Sequence, residues 1–359
     1  MEPIKVAILS CNHGHARGYY CLKDDPRFDL RAISVAPGYH DRIFIERLDG
    51  VDQYDNDEQM FDEHPEIEAV IMASSNWYHP KQFALCLERN IHILSMKVPT
   101  MDLQEYDQIL ELKRKSKSIV CVELEMHYHP ETYRMKELIA SGKIGDITAF
   151  SATNTSHNPM WWLPWHGLPE ESYGKRVPIM PGSKIYRGGC LTDHPHVFDM
   201  MRWMLDDEVA EVYAETAPNA RKSEVEDFVF VTGVTKGGTV FSIDPSYSRR
   251  ENPANIIADG WERYPKRVEV NASVYGTAGY IIGDVYGNWM HHTGIPNHAY
   301  TSFIAEHRFS FSGRIDDFVN AIRYGKNPTV SLEYHRKTME IIDGAYRSIY
   351  YGKTIKLDS

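Results

Sequence analysis

The densest concentration of chemistry-bearing residues is the run Arg187-Gly188-Gly189-Cys190-Leu191-Thr192-Asp193-His194-Pro195-His196-Val197-Phe198-Asp199. Glycines let a backbone approach a ligand closely. His196 lies three residues after Asp193 and three before Asp199. On one helical face that spacing can set a general base beside a carboxylate that orients it. The same residues also suit an ordinary helix start, with Asp193 as the cap and His196 satisfied in the core. Lys97 is the second candidate. It follows the apolar run ending at Ser95-Met96, where a partly buried ammonium can hydrogen-bond a substrate hydroxyl; a solvated strand-end charge is the plainer alternative. Two His-x-His pairs, His13/His15 and His194/His196, carry the donor type that suits Zn, Fe or Mn, or they are polar pocket residues without a metal. His127 and His129 form a further such pair, expected on a strand and so facing alike, with a solvated strand-end face as the equal alternative.

These residues need a scaffold. The first third alternates short apolar runs (IKVAILS, FDLRAISV, EAVIMAS, IHILS, SIVCVEL) with amphipathic stretches such as PKQFALCLERN and LQEYDQILELKRKS. That alternation predicts βαβ units and a parallel sheet. Ligands of such sheets bind outside the carboxyl ends of the strands. The turn after the first strand is Ser10-Cys11-Asn12-His13-Gly14-His15, with Ser10 and Asn12 where the first two glycines of a phosphate-cradling G-x-G-x-x-G would stand. Helix N-terminal amides still offer a pyrophosphate site there. The second strand ends on Ser34-Val35 without the acid that grips an NAD ribose, leaving Ser34 for a hydrogen bond; the turn after the next apolar strand supplies Ser74, Asn76 and His79.

Beyond DITAFSAT, strands dominate: EVAEVYAET, DFVFVTGVT, GTVFSIDPSYS, RVEVNASVYG and AGYIIGD alternate apolar and polar residues, as one-sided antiparallel strands do. Helices are expected at HVFDMMRWML, GRIDDFVNAIRYG and Glu333 to Tyr350. The fold class is therefore α/β: a Rossmann-type parallel-sheet domain over 1–125, then an α+β domain over 126–359 with a largely antiparallel open sheet. The aperiodic stretch Asn154 to Tyr186 reads as a lid or pocket wall, with Trp161, Trp162, Trp165 and His166 suited to stacking on a sugar ring or to a subunit contact.

The 359 residues, 42% apolar and 25% charged, can bury cores for two domains. A net charge of -11 argues against nucleic acid, which needs clustered cations. No run approaches the roughly 20 apolar residues of a membrane span, and MEPIKVAILSC enters a strand pattern at once without a signal region, so no membrane partner and a cytoplasmic location are expected. The five widely spaced cysteines read as reduced thiols, with Cys190 a candidate nucleophile by its position.

Taken in order, these motifs resemble the glucose-fructose oxidoreductase and inositol 2-dehydrogenase (Gfo/Idh/MocA) family over essentially the whole chain. Ala73 to Pro80 is similar to its A-T-P-x-x-x-H-x segment and HILSMKVP to its H-V-x-C-E-K-P, with Met96 and Val98 replacing the glutamate and proline. RGGCLTDHPHVFDMMRW resembles its acid-base helix start, with the Asp-to-His spacing one residue short, and VYGTAGYI and the final helix resemble its closing elements. The resemblance implies an NAD(P)-dependent oxidoreductase acting on a hydroxyl of a sugar, inositol or related polyol. It implies Lys97 as catalytic lysine, His196 as catalytic histidine and Asp193 as a substrate-contacting acid. Ser10, Asn12, His13, Gly14, Ser34, Ser74, Asn76 and His79 would then hold NAD or NADP. A homodimer or homotetramer is implied likewise. The alternatives on this scaffold are a lyase, hydratase or glycosidase, with a divalent metal on His13, His15, His194 and His196, and a non-catalytic binding homologue.

Overall fold

The computed structural model describes residues 2–11, 13–35, 46–156, 177–217, 225–247, 268–287, 289–295, 298–303 and 311–357. These fall into two compact units. One takes the described residues of Met1–Leu124, Met160–Val177 and Phe311–Arg336; the other takes those of Glu125–Pro159, Pro178–Ser310 and Lys337–Ser359.

The first unit is built on a six-stranded sheet in the order β3-β2-β1-β4-β5-β6, from β1 (Ile4–Leu9), β2 (Phe28–Ser34), β3 (Asp52–Tyr54), β4 (Ala69–Met72), β5 (His92–Ser95) and β6 (Val120–Val122). Every pairing is parallel, and β4 and β6 are wholly buried. Strands covered on both faces must be nearly continuously apolar, and these are. The chain order reverses between β1 and β4, which makes their carboxyl edge the switch point of the sheet. Helices α1 (Asp57–Glu63), α2 (His79–Glu88) and α3 (Leu103–Lys115) fill the crossovers. Asp102 caps α3 by accepting the Gln104 and Glu105 N–H groups, and Lys113, Arg114 and Lys115 complement the dipole at its other end. The segment after β1 is a 3-10 helix, Gly14–Lys23. Late in the sequence, α7 (Phe311–Tyr324; numbered in chain order, after α4 to α6 below) returns to this unit, and its Ile315 and Phe318 join the core around Ile4, Val6, Ile8 and Tyr19.

The second unit carries a nine-stranded, mainly antiparallel sheet in the order β14-β13-β12-β11-β7-β10-β9-β8-β15. Its strands are β7 (Ile147–Ser156), β8 (Val209–Thr216), β9 (Val229–Thr235), β10 (Val240–Asp244), β11 (Val268–Gly276), β12 (Gly279–Asp284), β13 (Trp289–Gly294), β14 (His298–Phe303) and β15 (Ile355–Lys356). Register lines up Phe241, Phe150, Val274 and Ile281 across four strands, and all four are buried. The neighbouring line Val240, Ala149, Tyr275, Tyr280 points the other way and is exposed or half-buried. The sheet is therefore one-sided, as the alternating sequence requires. Helices α4 (Pro130–Ala140), α5 (Cys190–Asp193), α6 (His196–Leu205) and the greater part of α8 (Leu332–Tyr351) belong to this unit. No helix among the described residues is long and apolar enough to cross a membrane.

His127 and His129 depart from the sequence reading. They lie in a 3-10 turn, Glu125–Tyr128, and at the cap of α4, and they are 0% and 2% exposed, so they are core groups rather than a solvated strand end.

Candidate active site

In the first unit the expected residues gather along one sheet edge. Ser10 follows β1, Ser34 ends β2, Ser74 and Asn76 follow β4, and Lys97 follows β5. All five are buried. Ser10 has φ +64°, a left-handed conformation that favours glycine. The turn therefore keeps a glycine-like backbone although a serine occupies it. The His13 N–H donates to the Ala73 carbonyl at 2.9 Å, and the His13 Nδ1 accepts the His15 N–H at 3.1 Å. His79 sets Nδ1 3.0 Å from the Val98 carbonyl and Nε2 3.2 Å from the Ser74 carbonyl. It thereby ties the turn after β4 to the turn carrying Lys97, whose peptide to Val98 is cis. His15 lies 3.2 Å through Nδ1 from Glu123, a fully buried carboxylate that also pairs with the buried Arg314 of α7. Gly14 begins the 3-10 helix. Asn12 lies outside the described residues, as do Trp161, Trp162, Trp165 and His166.

This edge fits a dinucleotide on two observations. The backbone at Ser10 takes the conformation of the missing glycine. The hydroxyl oxygens of Ser34 and Ser75 are buried without a hydrogen-bond partner, the first at the end of β2 and the second in the turn that follows β4. Buried polar atoms ordinarily have partners, and ribose or phosphate oxygens are acceptors of the kind these two hydroxyls could satisfy.

In the second unit, Gly189 allows the closest approach in the Asp193 segment. A Cβ there would stand 2.1 Å from the Glu226 carbonyl oxygen. The Cys190 N–H donates to that same carbonyl at 3.1 Å, and Glu226 Oε1 accepts the Leu191 N–H at 3.1 Å and the Tyr346 hydroxyl at 2.8 Å. Burial pushes the Glu226 carboxyl up to about 7, against the hydrogen bonds that lower it. Asp193 ends α5 and accepts the Tyr247 hydroxyl at 3.2 Å; its Oδ2 lies 3.4 Å from His194 Nε2. His194 donates through Nδ1 to the Pro245 carbonyl. Cys190 is fully buried. Burial, then the charges of Glu226, Asp227, Asp244 and Asp193, push its thiol well up, which disfavours the thiolate a nucleophile needs.

His196 is the first residue of α6 and is buried. The helical spacing anticipated Asp193 or Asp199 as its orienting acid, but Asp199 is committed elsewhere. Its Oδ2 bonds His127 Nε2 and its Oδ1 accepts the Thr338 hydroxyl at 3.3 Å, with Arg202 3.9 Å away. The carboxylate set against the His196 ring is Glu125, Oε2 to Nδ1 3.7 Å. Sequence reasoning missed Glu125, Glu123, Glu226 and Tyr247. A signal existed for the first two in the alternation Glu123, Glu125, His127, His129, four titratable residues at every second position.

Fold and site together define a nucleotide-binding α/β oxidoreductase joined to an open-sheet unit. Residues 10–124 match the model of the oxidoreductase family with an NAD-binding Rossmann fold, and 132–282 match the GFO/IDH/MocA C-terminal domain; the chain belongs to the Gfo/Idh/MocA oxidoreductases. It is 23% identical over 338 residues to a myo-inositol 2-dehydrogenase of Thermotoga maritima, covering 92% of this chain and 91% of that protein. Among solved structures it resembles GenD2 of gentamicin A biosynthesis in complex with NAD, with a TM-score of 0.78, 18% identity and coverage of 100% of this chain and 97% of that one. An Agrobacterium radiobacter oxidoreductase in complex with NAD+, L-tartaric acid and magnesium has a TM-score of 0.76 at 16% identity, covering 99% of this chain and 98% of that one.

Proposed function

We propose that the protein is an NAD(P)-dependent dehydrogenase acting on a secondary hydroxyl of a sugar, inositol or related polyol. The observation that carries the reading is the presence, in family order, of a buried lysine after β5 and a buried histidine at the head of α6, in a chain similar along nearly its full length to an inositol dehydrogenase. The nicotinamide, when bound, supplies the hydride chemistry. Ser34, Ser75 and the Ser10 turn hold the dinucleotide, together with Asn12, His13, Gly14, Ser74 and Asn76, while His79 fixes the turns around them. Lys97 donates a hydrogen bond to the reacting hydroxyl and His196 accepts its proton. Asp193, held by Tyr247 and His194, accepts a hydrogen bond from a neighbouring substrate hydroxyl.

Self-association through the open sheet belongs to the same proposal. Phe230, Val240 and Tyr275 share its outer face by register and are 58%, 55% and 41% exposed, an apolar patch of the kind that marks interfaces. The test is a panel of inositols, aldoses and sugar acids with each nicotinamide nucleotide, following nicotinamide reduction, on the native protein and on His196→Ala. Turnover with a polyol that disappears in the variant supports the reading. Turnover retained in the variant removes His196 from it.

A further inference from the structure

A histidine acts as a base through one ring nitrogen, and the group facing the other nitrogen decides which one that is. His196 takes its neighbours from more than its own helix. Asp199, one turn on, is engaged by His127, Thr338 and Arg202, and Asp193 by Tyr247 and His194. The acid facing Nδ1 is Glu125, with Oε2 3.7 Å away, an ion-pair rather than a hydrogen-bond distance, so it acts on the ring through its charge. Glu125 is 5% exposed and His196 4%, so the pair is sheltered from solvent screening. Glu125 is itself anchored. The Tyr286 hydroxyl, just past β12, hydrogen-bonds its carboxylate. Burial and then the Glu125 charge push that phenol well above its ordinary range, so it stays protonated and remains a donor. The Tyr286 ring is fixed in turn by an edge-to-face contact with His129, centroids 5.7 Å apart.

We propose that Tyr286 and Glu125 are positioning residues for His196: Tyr286 fixes the Glu125 carboxylate, which holds the imidazole in its Nδ1–H form and leaves Nε2 as the basic nitrogen. This rests on the reading of His196 as the proton acceptor. When a substrate hydroxyl is deprotonated, its proton moves to Nε2 and the O–H electron pair stays on oxygen. The ring becomes an imidazolium whose Nδ1 side faces the Glu125 carboxylate at 3.7 Å, and that carboxylate offsets the new charge. The arrangement has the logic of an acid-histidine dyad, with an acid from a separate turn rather than from the histidine's own helix.

The test uses the full chain labelled with 15N-histidine, His196 being assigned by the signal lost in His196→Ala, and ring-nitrogen shifts report the tautomer without any turnover. The Nδ1–H form should dominate in the native protein and give way to a mixture in Glu125→Ala. In parallel, kcat should fall roughly a hundredfold, the low end of a general base's contribution, with KM and nucleotide affinity unchanged. Tyr286→Phe, which removes one hydroxyl, should shift both readouts in the same direction by a smaller amount and serves if Glu125→Ala does not fold. An unchanged tautomer with unchanged kcat, in variants of a protein that His196→Ala inactivates, overturns the proposal while the reading of His196 stands. Full turnover in His196→Ala overturns the reading and the proposal's catalytic role, and the tautomer alone then shows whether Glu125 orients the ring.

Discussion

Glu226 lies under the turn that begins the Asp193 segment, and its ionisation can be removed by a near-isosteric change. In Glu226→Gln the amide oxygen takes the place of Oε1 and keeps the hydrogen bonds from the Leu191 N–H and the Tyr346 hydroxyl. The amide nitrogen takes the place of Oε2, which has no hydrogen-bond partner. Burial raises the native carboxyl from the ordinary 4.5 to about 7. The folded protein therefore binds more protons than the unfolded chain between those values, and native stability falls as pH rises from 4.5 through 7 and levels off above it. The rise corresponds to about 3 kcal/mol at ~1.4 kcal/mol per pH unit, an upper figure because the pocket relaxes around the charge. Glutamine does not titrate. Urea unfolding of both proteins should show a stability difference that shifts in favour of Glu226→Gln by about 1–3 kcal/mol between acid pH and pH 8. A difference that stays constant across that range refutes the assignment of a buried, reluctantly ionised carboxylate.

Gly189→Ala should destabilise the protein by about 1–3 kcal/mol in the same unfolding assay, because its Cβ would meet the Glu226 carbonyl at 2.1 Å; a native-like stability would show that the turn shifts at little cost. Ser34→Ala removes a buried hydroxyl that has no partner, so melting without ligand should be unchanged or slightly improved while nucleotide Kd rises about 3- to 10-fold; calorimetry that finds equal Kd values takes Ser34 out of the cofactor site. Lys97→Ala and His196→Ala should each cut turnover by about 100-fold or more with circular dichroism unchanged, and activity retained in either removes that residue from the mechanism.

The elements that anchor the candidate site are those the sequence announces most clearly. β1, β4 and β5 are short, nearly unbroken apolar runs, and buried parallel strands have no other way to satisfy both faces. α6 and α8 show apolar stripes at helical spacing, so their positions also follow from pattern. β13, β14 and the two-residue β15 were not legible: WMHHTG and HAYTSF mix histidine, glycine and hydroxyl residues, and their strand character comes from pairing across the sheet rather than from periodicity. Within the site, Asp193, His196 and Lys97 stood out because their types and neighbours are local signals. Glu125 did not, since its pairing with His196 is made by tertiary packing between segments far apart in the chain. The helical spacing that nominated Asp199 for that role describes which residues share a face, but not that His127, Thr338 and Arg202 occupy Asp199 first.

Nucleotide binding is tested by calorimetric titration of the purified protein with NAD, NADH, NADP and NADPH, alongside elemental analysis for Zn, Fe and Mn. One-to-one binding of at least one nucleotide is expected, with a Kd on the order of micromolar, typical of enzyme-ligand affinities, and independent of any metal. Binding by none of the four, with near-stoichiometric metal in the protein as isolated, would contradict it.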